Sequence, residues 1–174
     1  DERRKTKDAS VIHSSAFVIV ASLDEALRYG PFDLALFALK SFDTPAALEG
    51  LKPFADKMPP ILCLSNGVDN EPMIADILGK DKVIYGTVTS AIGRRDAGDI
   101  VLERLRGMGV AKGHALSEKL NSALDKAFLN SRLFDDAASM KWSKMLTNLL
   151  ANPTSAILDM TAGEVFANRD LYKI

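Results

Sequence analysis

The sequence is poor in the residues that build disulfides and metal centres. Cys63 is its one cysteine, so no intrachain disulfide can form, and its two histidines, His13 and His114, stand far apart. One thiol and two isolated imidazoles make no metal-ligand set. Charge of one sign is also lacking: 22 Lys and Arg against 23 Asp and Glu leave a formal net charge of −1 at pH 7. Neither nucleic acid nor an anionic membrane is implied as a partner. No apolar run is long enough to span a bilayer. The opening DERRKTKD is a charge cluster with no apolar core behind it, so it does not read as a signal peptide. A cytoplasmic location is the default these absences leave. Nowhere does a true Gly-x-Gly-x-x-Gly follow a strand pattern. The stretch GMGVAKG at 107–113 has one residue too many, and the next helix pattern opens only near Leu116-Ser117. It reads as a turn between strands rather than a phosphate-binding loop.

What remains is an ordinary globular composition, 47% hydrophobic and 26% charged over 174 residues, enough for one domain or parts of two. Residues 1–16 say least. Arg3, Arg4, Lys5 and Lys7 suit a solvated end, with contact to a cofactor phosphate as the functional alternative. FVIVA at 17–21 reads as a short strand. Ser22 with Glu25 forms a capping box for a short helix, which Gly30-Pro31 ends. DLALFAL at 33–39 is a continuous apolar run, the pattern of a parallel strand buried on both faces. Helix is expected over 45–55, up to Pro59-Pro60, and over 71–78, up to Gly79. Strands are expected over 61–64, with Cys63 as a small buried hydrophobe, and over 82–91. Residues 99–105 and 128–134 complete the strands, with a capped amphipathic helix around Leu116, Leu120 and Leu124 between them. Alternating strands and helices predict βαβ units and a parallel sheet. From Asp135-Asp136, whose acids suit a helix N-terminus, the pattern is helical throughout.

Two strand ends carry polar groups: Lys40-Ser41 after Leu39, and Ser65-Asn66-Gly67 after Leu64. Ligands of open α/β sheets bind outside the carboxyl ends of strands, so Lys40 and Asn66 are candidates for a cofactor. As a bland alternative they are only loop residues. The segment MKWSKMLTNLLANPTSAI at 140–157 holds a second candidate. Lys144, Asn148 and Asn152 recur every four residues and so share one helix face, while Trp142, Met145, Leu146, Leu149 and Leu150 fill much of the rest. Two Asn residues inside a helix run against their propensity. One ammonium and two amides suit a small polar ligand, although the same row could be the wet side of a surface helix. Pro153 predicts a kink or an end at Asn152.

KWSKMLTNLLANPTSAI resembles the segment that opens the helical domain of ketopantoate reductases (2-dehydropantoate 2-reductases). DLALFALKSFDT, CLSNGVDNE and GTVTSAIGRRDAGDI resemble that family's cofactor-facing strand ends. The resemblance implies Lys144 as general acid, with Asn148 and Asn152 as substrate holders. It also implies Lys40, Asn66 and the backbone of Ile92 as cofactor contacts, Asn66 touching substrate too. The implied fold is α/β: a Rossmann-like parallel sheet, incomplete at its N-terminus, followed by the start of an all-helical domain. Residues 1–135 would be the later part of the dinucleotide-binding domain and 136–174 the beginning of the helical substrate and dimerisation domain. The family's glycine-rich loop would precede Asp1, and its further substrate Ser and cofactor Glu would follow Ile174.

The implied reaction is NADPH-dependent reduction of 2-dehydropantoate to pantoate, a step of pantothenate and coenzyme A biosynthesis. A 2-keto acid would be the small-molecule substrate, with a homodimer through the helical domain as one possible assembly. Desolvation of Lys144 on a mainly apolar helix would lower its pKa toward working pH. Ala162 departs from the pattern, standing where some members place another substrate-binding Asn. Two alternatives stay open: a related two-domain NAD(P)-dependent reductase of another 2-keto or 3-hydroxy acid, and a non-catalytic NADP-binding protein.

Overall fold

The computed structural model describes residues 18–173. Arg3, Arg4, Lys5 and Lys7 and the first residue of the expected 17–21 strand lie outside the described residues. The chain divides into two compact units, Asp1–Pro31 and Phe32–Ile174.

In the first unit, Leu23–Leu27 forms helix α1. Ser22 caps it: its Oγ accepts the Glu25 N–H at 3.2 Å, while Glu25 Oε2 accepts the Ala21 N–H at 3.3 Å. The reciprocal capping pair of Ser22 and Glu25 is thus present, its return bond landing one residue earlier than expected. The described part of the 17–21 strand does not form. Residues 18–20 are irregular, and Val18 and Ile19 are exposed. An apolar run becomes a strand only where a neighbouring ladder takes up its backbone groups, and none does so among the described residues.

The second unit is built on strands β1 (Ala35–Phe37), β2 (Ile61–Cys63), β3 (Val83–Val88), β4 (Ala91–Asp96), β5 (Asp99–Arg104), β6 (Met108–Ala111) and β7 (Ser131–Phe134). Five of them form one sheet in the order β1-β2-β3-β6-β7, and β4 with β5 makes a separate hairpin. Helices α2 (Thr44–Leu51), α3 (Asn70–Leu78), α4 (Ser117–Lys126), α5 (Ala137–Leu158) and α6 (Ala162–Ala167) complete the unit. The pairs β1-β2, β2-β3 and β6-β7 are parallel, as the alternating pattern predicts, whereas β3-β6 is antiparallel. The chain reverses because β3 is followed by a hairpin rather than a helix, and only a helical crossover returns a strand parallel.

Alternation along the central strands explains the core. Leu62, Ile84 and Val110 lie on one face and are packed by Leu116, Leu120 and Leu124, which recur every four residues on and before α4. Ile61, Cys63 and Val83, of opposite parity, are buried on the other face, where α3 supplies the fully buried Ile74. β2 is therefore covered twice. β1 is not, contrary to the expectation for 33–39. It is an edge strand, and Leu36, in register with Leu62 on the α4 face, is 65% exposed. Phe37, on the α3 face, is buried.

Two other expectations are corrected. Residues 107–113 are not a turn, because Met108–Ala111 is strand β6, with Val110 and Ala111 in the core. Gly109 belongs there for lack of room: a Cβ would stand 2.7 Å from the Phe134 ring and 2.9 Å from both Met140 Sδ and the Thr87 methyl. Of the kink or end expected at Pro153, the end does not occur, since α5 runs on to Leu158. The missing N–H costs one ladder bond, and here it falls on an exposed stretch where water can replace it. Asp136 does cap α5 as its charge suggests, accepting the Ser139 N–H at 2.6 Å.

Gly109→Ala is expected to lose about 1–3 kcal/mol by overpacking, lowering the urea midpoint without changing the slope. A wild-type midpoint would mean that the strand is not packed as described.

Candidate functional site

Because β1 and β2 are parallel, their carboxyl ends emerge on the same edge of the sheet. The loops that follow are tied together by side chains reaching backbone. After β1, Leu39 O accepts the Ser65 hydroxyl at 2.8 Å. The Ser41 hydroxyl in turn donates to Asn66 O at 2.7 Å. Lys40 sits between these two anchors, with an exposed side chain. Asn70, in the first turn of α3, completes the lattice. Its Nδ2 donates to Asn66 O at 2.7 Å and to Ser41 Oγ at 3.1 Å, and its Oδ1 accepts the Thr44 hydroxyl at 2.8 Å. Asn70 and Thr44 are both buried. Asn66 thus spends its carbonyl on the scaffold and leaves its side-chain amide exposed. Gly67 follows at φ +97°, a backbone turn that strains any L side chain.

The next part of the site was missed by sequence reasoning. Lys141, one residue before Trp142, is 5% exposed, and its ammonium lies 2.7 Å from Oε1 of the fully buried Glu71. The same Nζ donates to Ser65 O at 2.9 Å and to Gly86 O at 3.3 Å. The contact with Glu71 is one of charge, for neither carboxylate oxygen of Glu71 has a regular hydrogen-bond partner. Removing one partner of such a buried pair costs about 3–5 kcal/mol, since the other charge is left without a counter-ion. Glu71 lies in the first turn of α3, where the helix dipole favours a carboxylate. Cys63 is buried nearby, and its thiol is pushed up to about 12, first by burial and next by the Glu71 carboxylate. It is held as the inert thiol.

Lys144 follows one helical turn beyond Lys141, on the adjoining face. It is half-buried. Burial, and after it the nearby positive charge of Arg106, holds its pKa below the ordinary lysine value. Arg106 stands just beyond β5, at a hairpin base pinned by Gly107: Gly107 O accepts the N–H groups of Thr89 and Ser90 at 3.0 and 3.2 Å. Asn148 is half-buried and Asn152 exposed. Ile92 lies on β4, opposite Leu102, with an exposed side chain. The structure therefore brings Lys40 and Asn66 to one edge, joined through Ser41. It anchors the start of α5 to the residue preceding Asn66. Asn152 and Ile92 are tied to that lattice by no hydrogen bond of their side chains. Lys141 could have been suspected from the sequence only as a lysine flanked by Met140 and Trp142, a weak signal, and Glu71 not at all.

Among the described residues, no cluster of three or more His, Cys, Asp or Glu could hold a metal ion, and no helix is long and apolar enough to cross a membrane.

A Rossmann-like α/β sheet leading into a long helix, with polar residues gathered at strand carboxyl ends, defines the class. The family model "Ketopantoate reductase PanE/ApbA" matches residues 3–113, and the chain belongs to that family. It is 27% identical to a 2-dehydropantoate 2-reductase of Streptococcus pyogenes over 150 residues, covering 82% of this chain and 48% of the relative. The chain thus spans about half the length of the curated relatives it matches. The crystal structure of a Geobacter metallireducens 2-dehydropantoate 2-reductase superposes with a TM-score of 0.73 at 25% identity, covering 84% of this chain and 50% of that one. A D-mandelate dehydrogenase, solved with NADH and anilino(oxo)acetate, shares the fold with a TM-score of 0.69 at 22% identity, over 82% of this chain and 47% of that one.

The buried amide lattice has a direct test. Asn70→Ala strands the Thr44 hydroxyl and frees Asn66 O, and is expected to cost about 1–3 kcal/mol. Asn70→Asp keeps the acceptor for Thr44 but sets an oxygen against Asn66 O, so it should melt early as well. Melting temperatures equal to wild type in both variants would remove Asn70 from the scaffold of the site.

Proposed function

We propose that the protein reduces 2-dehydropantoate to pantoate with NADPH, Lys144 acting as the proton donor. One observation carries this reading: an ammonium with a lowered pKa follows, by one helical turn, a lysine anchored to the carbonyl of Ser65, the residue before the exposed Asn66. Family membership supports the reaction class. The residues fit a nicotinamide dinucleotide at the sheet edge, where Lys40 offers an exposed cation and Gly67, at φ +97°, a close backbone approach. NADPH when bound supplies the hydride. The chain's own residues do the rest. Lys144 gives a proton to the carbonyl oxygen as charge develops there. Asn148 and Asn152 donate amide hydrogens to the substrate's carboxylate and hydroxyl without adding charge. Asn66 holds substrate and nicotinamide together, a proximity effect.

In this reading residues 136–174 begin the helical domain. The exposed row Trp142, Leu146, Leu149, Leu150 and Ile157 along α5 is a surface that further helix or a second copy would cover. A second reading keeps the fold and changes the 2-keto acid. Ala162 favours it, since an amide is missing where some family members hold substrate. The likeness to a D-mandelate dehydrogenase supports the fold common to both.

Lys144→Ala in the full-length protein is expected to lower kcat by roughly 10²–10⁴-fold, with the KM for NADPH little changed. Asn148→Ala should act chiefly on the KM for the keto acid. Steady-state assays with a panel of 2-keto acids check both, and near-normal kcat in a folded Lys144→Ala protein ends the assignment.

A further inference from the structure

Lys141 and Glu71 take no part in the proposed chemistry, yet they are the buried charges of the described core. Buried ion pairs can often be replaced by apolar side chains of the same volume without loss of stability, so stability alone does not explain the pair. The Lys141 ammonium is held from three elements: it donates to Ser65 O just after β2 and to Gly86 O within β3, and it pairs by charge with Glu71 on α3. Met140 and Lys141 are the buried residues of α5. A single turn therefore sets how this helix is rotated against the sheet.

We propose that Lys141 is a positioning residue, which fixes the rotation of α5 so that Lys144 and Asn148 are presented to the Asn66 loop. The inference rests on the reading of Lys144 as proton donor. Leverage makes the device consequential. A rotation of α5 by about 20° swings a side-chain end roughly 6 Å from the axis by about 2 Å. A misplacement of about 1 Å can cost 10²-fold in rate. The same ammonium grips Ser65 O, the residue before Asn66, so one group sets both halves of the site.

Two variants of the full-length protein separate positioning from stability. Glu71→Gln keeps the shape and an oxygen beside Lys141 but loses the counter-charge. Lys141→Met with Glu71→Met removes both charges and leaves neither unpaired. Three quantities are read: melting temperature, kcat, and the pH profile of Lys144 acylation followed by peptide mass spectrometry. Glu71→Gln should melt earlier, while moving the acylation profile and kcat less than the double variant does, because Ser65 O and Gly86 O still hold Lys141. The double variant should melt near wild type, acylate Lys144 with a midpoint shifted toward an ordinary lysine, and lose at least 10-fold in kcat at unchanged KM for NADPH. A double variant that matches wild type in all three quantities overturns the proposal. So does one that does not fold, since the pair would then be a requirement of the fold alone. The acylation profile needs no turnover. A wild-type protein inactive on every 2-keto acid, with the profile moving as expected, would sink the functional reading and leave the positioning intact. Turnover with an unmoved profile would do the reverse.

Discussion

Taking an ammonium out of water costs several kcal/mol unless its hydrogens find new partners and its charge a counter-ion. That constraint organises the second unit. Lys141 can be buried only where a carboxylate and free carbonyls converge, and they converge where β2 ends, β3 passes and α3 begins. Each element is held there for its own reason. β2 is covered on both faces, β3 pairs on both sides, and α3 carries Ile74 into the core. The charge network then joins α5 to all three. Without it, α5 would rest on Met140 and on the contacts of an otherwise exposed helix.

The Lys40 loop is held by the same logic without charge. Ser41, Ser65, Asn70 and Thr44 satisfy one another and two backbone carbonyls. Such a lattice is expensive to break piecemeal, because each lost partner strands another buried group. The consequence is local stiffness around Asn66, whose side chain is left free. A rigid carbonyl beside an uncommitted amide is what a contact residue needs: its position is fixed while its donors stay available.

How much of this was legible depends on the range of the interactions. The pairing of Ser22 with Glu25 and the acid cap at Asp136 are local, and the sequence states them within four residues. The Thr161 and Glu164 capping box of α6 is equally local. The buried strand at Ile61 was legible from its unbroken apolar run. β1 carried the same run, but exposure of Leu36 depends on its place at the sheet edge, which composition does not encode. Strand β6 was hidden for the opposite reason. Its glycines look like a turn, and only the presence of Phe134, Met140 and Thr87 around Gly109 explains why a packed strand should lack side chains. Lys141 and Glu71 are 70 residues apart in sequence, so their pairing is tertiary information alone. The polar row of α5 was legible as a row, but nothing in its spacing points to the lysine one turn earlier that orients it.

The acceptors that shape the site are largely backbone: the carbonyls of Leu39, Ser65, Asn66, Gly86 and Gly107. Backbone carbonyls survive substitution, so a site framed by them constrains only the few side chains that reach them. A frame of this kind is compatible with low sequence identity, and the chain superposes on a crystallised relative only 25% identical with a TM-score of 0.73. It also locates the freedom. Ala162, at the start of α6, lies on a helix beyond the locked turn and outside the hydrogen-bonded lattice around Asn66. What the lattice fixes is the backbone around Asn66, while the exposed face of α5 and the start of α6 lie outside it.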